Sequence, residues 1–116
     1  MNSGTFAPSG RALVIEKDAV LREILVQLAA EIGFEPVPVD NSDQAHAVIN
    51  SGQVELIIIE SSNEAEIKAL SRSAPTIAIS NLAARKSPDD LGVICLLPLL
   101  FDMDKLERAI RDSLRY

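Results

Sequence analysis

The chain has 116 residues, 47% of them hydrophobic, which suits one domain with its own core and excludes a disordered chain. Only 3% are aromatic, so that core must be filled by Leu, Ile, Val and Ala. The 17 acidic residues against 11 basic ones leave a formal charge of −6, and no cluster of Lys and Arg is present to hold nucleic-acid phosphates or anionic lipid.

Residues 1–10, rich in Ser, Gly and Pro and without a positive charge, read as a flexible lead-in and not as a secretory signal. One domain is expected over residues 11–116. Its first strand is the aliphatic run at residues 12–15. Asp18 can cap a helix in which Leu21, Ile24, Leu25, Leu28 and Ile32 recur at helical spacing, and Gly33 supplies the stop. A second strand, at residues 34–39, contains Pro36 and Pro38. Their missing N–H groups fall on the same side, so this strand belongs at a sheet edge. Ser42 can cap a short helix carrying Ala45, Val48 and Ile49. The third strand, at residues 54–59, does not alternate with polar residues, as fits a central strand covered on both faces. Ser61 and Glu64 have capping-box spacing for a shortened third helix with Ile67 and Leu70 inward. Residues 76–79 read as a fourth strand. The stretch that follows, around Pro88, can support only a shortened helix. Residues 93–97 read as the fifth strand. The apolar run continues to residue 101, still too short to cross a bilayer, where about 20 residues are needed. Asp102 can cap a last helix with Leu106, Ala109, Ile110 and Leu114 on its apolar face. The single Cys95 cannot form an intrachain bridge; as a core thiol it fits a cytoplasmic protein.

Strands alternating with helices imply a parallel sheet, and an edge second strand selects the flavodoxin-like order 2-1-3-4-5 in a three-layer sandwich. In such sheets function gathers at the carboxyl ends of the strands. Those ends carry Glu16, Lys17 and Asp18, then Glu60 and Ser61, then Ser80 and Asn81, then Pro98, Leu99 and Leu100.

These positions carry a resemblance. Residues 13–18 (LVIEKD) resemble the opening strand and acidic cluster of response-regulator receiver domains, and residues 54–60 (VELIIIE) resemble the strand that ends in their phosphoacceptor Asp. Residues 75–80 (PTIAIS) resemble the strand ending in the switch Thr/Ser, and residues 92–101 (GVICLLPLLF) resemble the last strand and its Lys-Pro corner. The likeness runs from residue 11 to residue 116. It implies a Mg²⁺ site, a phosphoacceptor and a neutralising Lys, and this chain departs from all three. Glu16 keeps the first acid, while Lys17 stands where the second belongs. Glu60 replaces the phosphoacceptor, Leu99 replaces the Lys, and Leu96 replaces the aromatic switch. Ser80 alone keeps its hydroxyl.

An ammonium group repels Mg²⁺, and a carboxylate longer by one methylene is misplaced for in-line attack. Phosphoryl acceptance is therefore expected to be lost, and no cofactor or metal is expected. The resemblance then implies a degenerate receiver, of the kind found in hybrid kinases or standing alone. It would be a non-enzymatic interaction module of bacterial two-component signalling, acting on a histidine kinase, a phosphotransfer protein or a neighbouring domain. No output domain follows residue 116, so direct control of transcription is not expected. A small-ligand sensor on the same fold, binding a nucleotide or a redox molecule, is the alternative. Lys17 and Glu60 are expected to pair across the former metal site. Leu96, Leu97, Pro98, Leu99, Leu100 and Phe101 either pack beneath a short fourth helix or expose an apolar patch to a partner. His46 and the pair Arg85 and Lys86 are expected in solvent.

Overall fold

The structure is a computed structural model that describes residues 10–115. Its elements alternate from end to end: β1 (Arg11–Ile15), α1 (Ala19–Ile32), β2 (Glu35–Val39), α2 (Ser42–Ser51), β3 (Leu56–Glu60), α3 (Glu64–Ser71), β4 (Thr76–Ile79), α4 (Pro88–Leu91), β5 (Cys95–Leu97) and α5 (Met103–Ser113), with a 3₁₀ turn at Asn81–Ala84. The strands form one parallel sheet in the order β2-β1-β3-β4-β5, the flavodoxin-like arrangement that the sequence implies.

Pro36 and Pro38 lie on the outer strand. The Glu35 N–H donates inward to the Gly10 carbonyl at 2.8 Å, so the alternate positions 36 and 38 face away from β1, where no donor is needed. Gly10 thus begins the ladder. The rest of the expected lead-in, and Tyr116, lie outside the described residues.

Leu56 to Ile59 have no exposed surface. Leu56 and Ile58 pack with Leu25 and Ala29 of α1 and with Leu106 and Ile110 of α5. Ile57 and Ile59 point the other way, onto Ala45 of α2, Ile67 and Leu70 of α3 and Leu91 of α4. Each of these isoleucines contributes roughly 1.5–3 kcal/mol through burial, so the two-sided central strand is the main anchor of the sandwich. Among the described residues no helix is long and apolar enough to cross a membrane.

Asp18, Gly33 and Asp102 terminate their helices as the sequence suggests, with Gly33 at φ 121, a conformation that disfavours a side chain. Two caps shift by one or two residues. Asn41, not Ser42, accepts the Gln44 N–H at the start of α2, and Asn63, not Ser61, accepts the Glu66 N–H at the start of α3. Ser, Ser and Asn at residues 61–63 are all capping types, and spacing alone does not choose between Ser61 with Glu64 and Asn63 with Glu66. The shortened segment after β4 is a 3₁₀ turn followed by a four-residue helix with a Ser87–Asp90 capping box. Ile24 and Leu114, expected on apolar faces, are 41% and 46% exposed. Ile24 lies just outside the stripe that α1 turns toward the sheet, and Leu114 is the C-cap beyond the last residue of α5.

Candidate functional site

The site forms where β1 and β3 end side by side. Ile15 and Ile59 are register partners, so Glu16 and Glu60 follow as neighbours at the sheet's carboxyl end. Backbone bonding seals Glu16 in place. Its N–H donates to the Val39 carbonyl at 3.1 Å, and its carboxylate Oε2 accepts the Asp18 N–H at 3.0 Å. Only 2% of Glu16 is exposed, and Oε1 is buried with no donor. Arg22 of α1 reaches back over the turn, its Nη1 donating to the carbonyls of Glu16 at 2.8 Å and Lys17 at 3.3 Å.

Asp18 turns to the helix. Its Oδ1 accepts the N–H groups of Val20 at 2.8 Å and Leu21 at 3.2 Å, which relieves unpaired donors at the positive end of α1. Lys17 projects into solvent and borders an open cleft with Glu60, Ser61, Ser62, Asn63 and Glu66. The expected Lys17–Glu60 ion pair does not form: among the described residues no cation lies within 4.0 Å of the Glu60 carboxylate, whose neighbour across the strand ends is Glu16. The ammonium remains hydrated because an exposed pair contributes little to offset ordering a lysine chain. Burial pushes the Glu16 carboxyl up to about 7, with the Glu60 contact adding to the rise and the Asp18 N–H opposing it.

Ser80, at the end of β4, has no exposed surface. Its N–H donates to the Leu97 carbonyl at 2.8 Å, and its Oγ accepts the Leu82 N–H at 3.0 Å, capping the 3₁₀ turn. Ser61 bridges the cleft floor, accepting the Asn63 N–H at 3.0 Å and donating to Glu66. Ser62, Asn63 and Glu66 were not singled out as cleft residues by the sequence. The Asn-x-x-Glu spacing at 63 and 66 is the signal that marks where the loop becomes α3.

A divalent cation needs several hard oxygens converging on one point. Here one Asp18 oxygen is committed to α1, the free Glu16 oxygen is sealed, and Lys17 borders the opening. Among the described residues no three His, Cys, Asp or Glu side chains group as a metal site requires. The residues present do not fit the Mg²⁺ that the resemblance implies.

The apolar run after β5 divides. Leu97 is 5% exposed and belongs to the core, and Leu96 and Phe101 are half-buried against it, so these three are not free surface. Pro98, Leu99 and Leu100 are exposed, Leu100 by 96%. Cys95 is half-buried rather than a core thiol, because β5 is the other edge of the sheet; burial, then Asp112, pushes its thiol up. His46 and Arg85 are solvated as expected, whereas Lys86 pairs with Glu64 at 3.6 Å.

The sheet order and the alternation of strands and helices give the fold that solved receiver domains share. The signal receiver domain of an HD-domain-containing protein from Pseudomonas fluorescens superposes with a TM-score of 0.77 at 19% identity, over 99% of this chain and 93% of that one. A sensor protein from a Polaromonas species gives 0.78 at 17% identity over 93% and 98%. A response regulator receiver protein from Pseudomonas putida gives 0.76 at 21% over 91% and 98%. At such identities the likeness is one of fold. No protein-family model and no curated protein matches the sequence.

Proposed function

We propose that this chain is a receiver-fold interaction module that regulates a two-component signalling partner without accepting a phosphoryl group. The partner is a histidine kinase, a phosphotransfer protein or a neighbouring domain. One observation carries the reading: Glu16 is buried, Asp18 is committed to α1, and the cleft that Glu60 lines also contains an ammonium. Without Mg²⁺ or a cation at Leu99, nothing stabilises charge on a transferring phosphoryl group. Glu60 lines the cleft with Lys17, one methylene longer than the Asp that in-line attack would need.

The exposed apolar side chains suit docking. Val20 (72% exposed) and Ile24 on α1 and Met103 on α5 stand on helices that cover the same face of the sheet, and Leu99 and Leu100 lie in the loop that leads into α5. Incubation with acetyl phosphate and Mg²⁺, read by intact mass, tests the proposal. No phosphoryl adduct is expected, and a hydroxylamine-labile adduct on Glu60 or Asp18 would overturn it.

The small-ligand alternative draws on a different feature, a concavity of about 280 Å³ between β5 and α5 with Ile94, Leu97 and Ala109 on its floor and Lys105 and Arg108 at its rim. Asp112 also lines it, so the site suits a ligand with an apolar body and both charged and hydrogen-bonding groups, rather than a simple anion. A raised thermal midpoint with such a ligand would favour this reading, since only a ligand of the native state stabilises it.

A further inference from the structure

The concavity between β5 and α5 follows from two features of the chain. β5 is three residues long and lies at the sheet edge, and the α5 residue on the concavity floor is Ala109. A methyl group there leaves room that a longer side chain would fill. The floor is apolar, because Ile94, Leu97 and Ala109 all belong to the hydrophobic packing on that face of the sheet. The rim carries three exposed charges of α5, Lys105, Arg108 and Asp112, and among the described residues none of them forms an ion pair. Glu107 and Arg111 of the same helix, four residues apart, are joined at 2.8 Å. Arg108 and Asp112 have that spacing with the charges reversed, the weaker order in a helix, and they stay apart. Arg108 also borders a shallow cleft with Asp104, Glu107 and Arg111. The Asp112 charge reaches Cys95 in the concavity wall, where it adds to the rise that burial gives the thiol. A ligand can therefore meet both signs of charge above an apolar floor without breaking an ion pair. The volume, about 280 Å³, is below the range of about 300–1,000 Å³ for drug-sized ligands, and among the described residues no aromatic ring lines it. A small aliphatic molecule suits that space better than a nucleotide or a planar redox cofactor.

We propose that this concavity binds a free aliphatic α-amino acid of about the size of leucine, its carboxylate at Arg108 and Lys105, its ammonium at Asp112 and its side chain on the apolar floor. The adjacent opposite charges of the ligand match the opposite charges that stand one helical turn apart on α5. A fatty acid would leave Asp112 facing its apolar body, and an alkyl amine would do the same to Arg108. The inference rests on the small-ligand reading of the concavity and is independent of whether the chain accepts a phosphoryl group.

Amide NMR titration of the full chain with L-leucine, L-leucinamide and N-acetyl-L-leucine, each to about 10 mM, tests it, since a dissociation constant of about 1 mM would then be close to saturation. L-leucine should shift the amides of Ile94, Cys95, Arg108 and Ala109 saturably. The amide, which lacks the carboxylate, and the acetyl derivative, which lacks the ammonium, should each bind roughly tenfold or more weakly. Arg108→Gln should weaken L-leucine by a similar factor and leave L-leucinamide unchanged, whereas Asp112→Asn should weaken L-leucine and leave N-acetyl-L-leucine unchanged. Both replaced residues are exposed, so the folded spectrum should persist. Either derivative binding as well as L-leucine would overturn the amino-acid inference and leave the concavity standing as a ligand site. No saturable shift with any of the three would overturn the inference and the small-ligand reading together.

Discussion

Glu16 illustrates how one side chain sets a pH dependence. Its folded value of about 7 lies above the ordinary 4.5, so across that window the folded state holds a proton that the unfolded state has released. Stability from this residue is therefore full below about pH 4.5, falls as pH rises toward 7, and is flat above. Each pKa unit corresponds to about 1.4 kcal/mol, so the penalty above neutrality is on the order of 1–3 kcal/mol. Glu16→Gln should raise the thermal midpoint more at pH 8 than at pH 5, as scanning calorimetry at both values will show. At Asp18 the role is mechanical. Asp18→Ala removes the acceptor for two N–H groups of α1 and should cost about 1 kcal/mol in urea denaturation. The identity of both residues was plain in the sequence. Their division of labour was not, because adjacent acids look alike until the turn decides which one is buried and which one caps.

Among the elements, the segment linking β5 to α5 shows how a continuous apolar run can serve two purposes. Leu97 faces the core and Leu100 faces water, three residues apart in an unbroken hydrophobic stretch. Leu97→Glu should unfold the protein, since it buries an unpaired charge. Leu100→Glu should change stability by no more than about 0.5 kcal/mol, judged by chemical denaturation. If Leu100 contacts a partner, its replacement weakens binding without loss of fold. Periodicity located the strands and most helix caps, and the two prolines of β2 identified an edge before any pairing was known. It could not separate buried from exposed leucines in a three-residue strand and its turn, because no complete period repeats there.

For the whole molecule, the sheet divides the core into two clusters that share strands but not side chains. Leu25 on α1 and Ile67 on α3 lie on opposite faces, each fully buried. Leu25→Ala and Ile67→Ala should each cost about 2–5 kcal/mol, and the double variant should equal their sum within about 0.5 kcal/mol. A larger coupling in a denaturation cycle would mean that the sheet transmits strain between its faces. By itself, the sequence determined the strand order, the two-sided central strand and the presence of Lys17 and Glu60 just past the strand ends. These follow from local patterns: alternation, proline geometry and residue type at strand ends. Only the tertiary structure decided that Glu16 is buried and that Lys17 and Glu60 border one cleft without pairing. That choice depends on burial and on which backbone N–H groups compete for each carboxylate, quantities that exist only once β1 and β3 lie side by side.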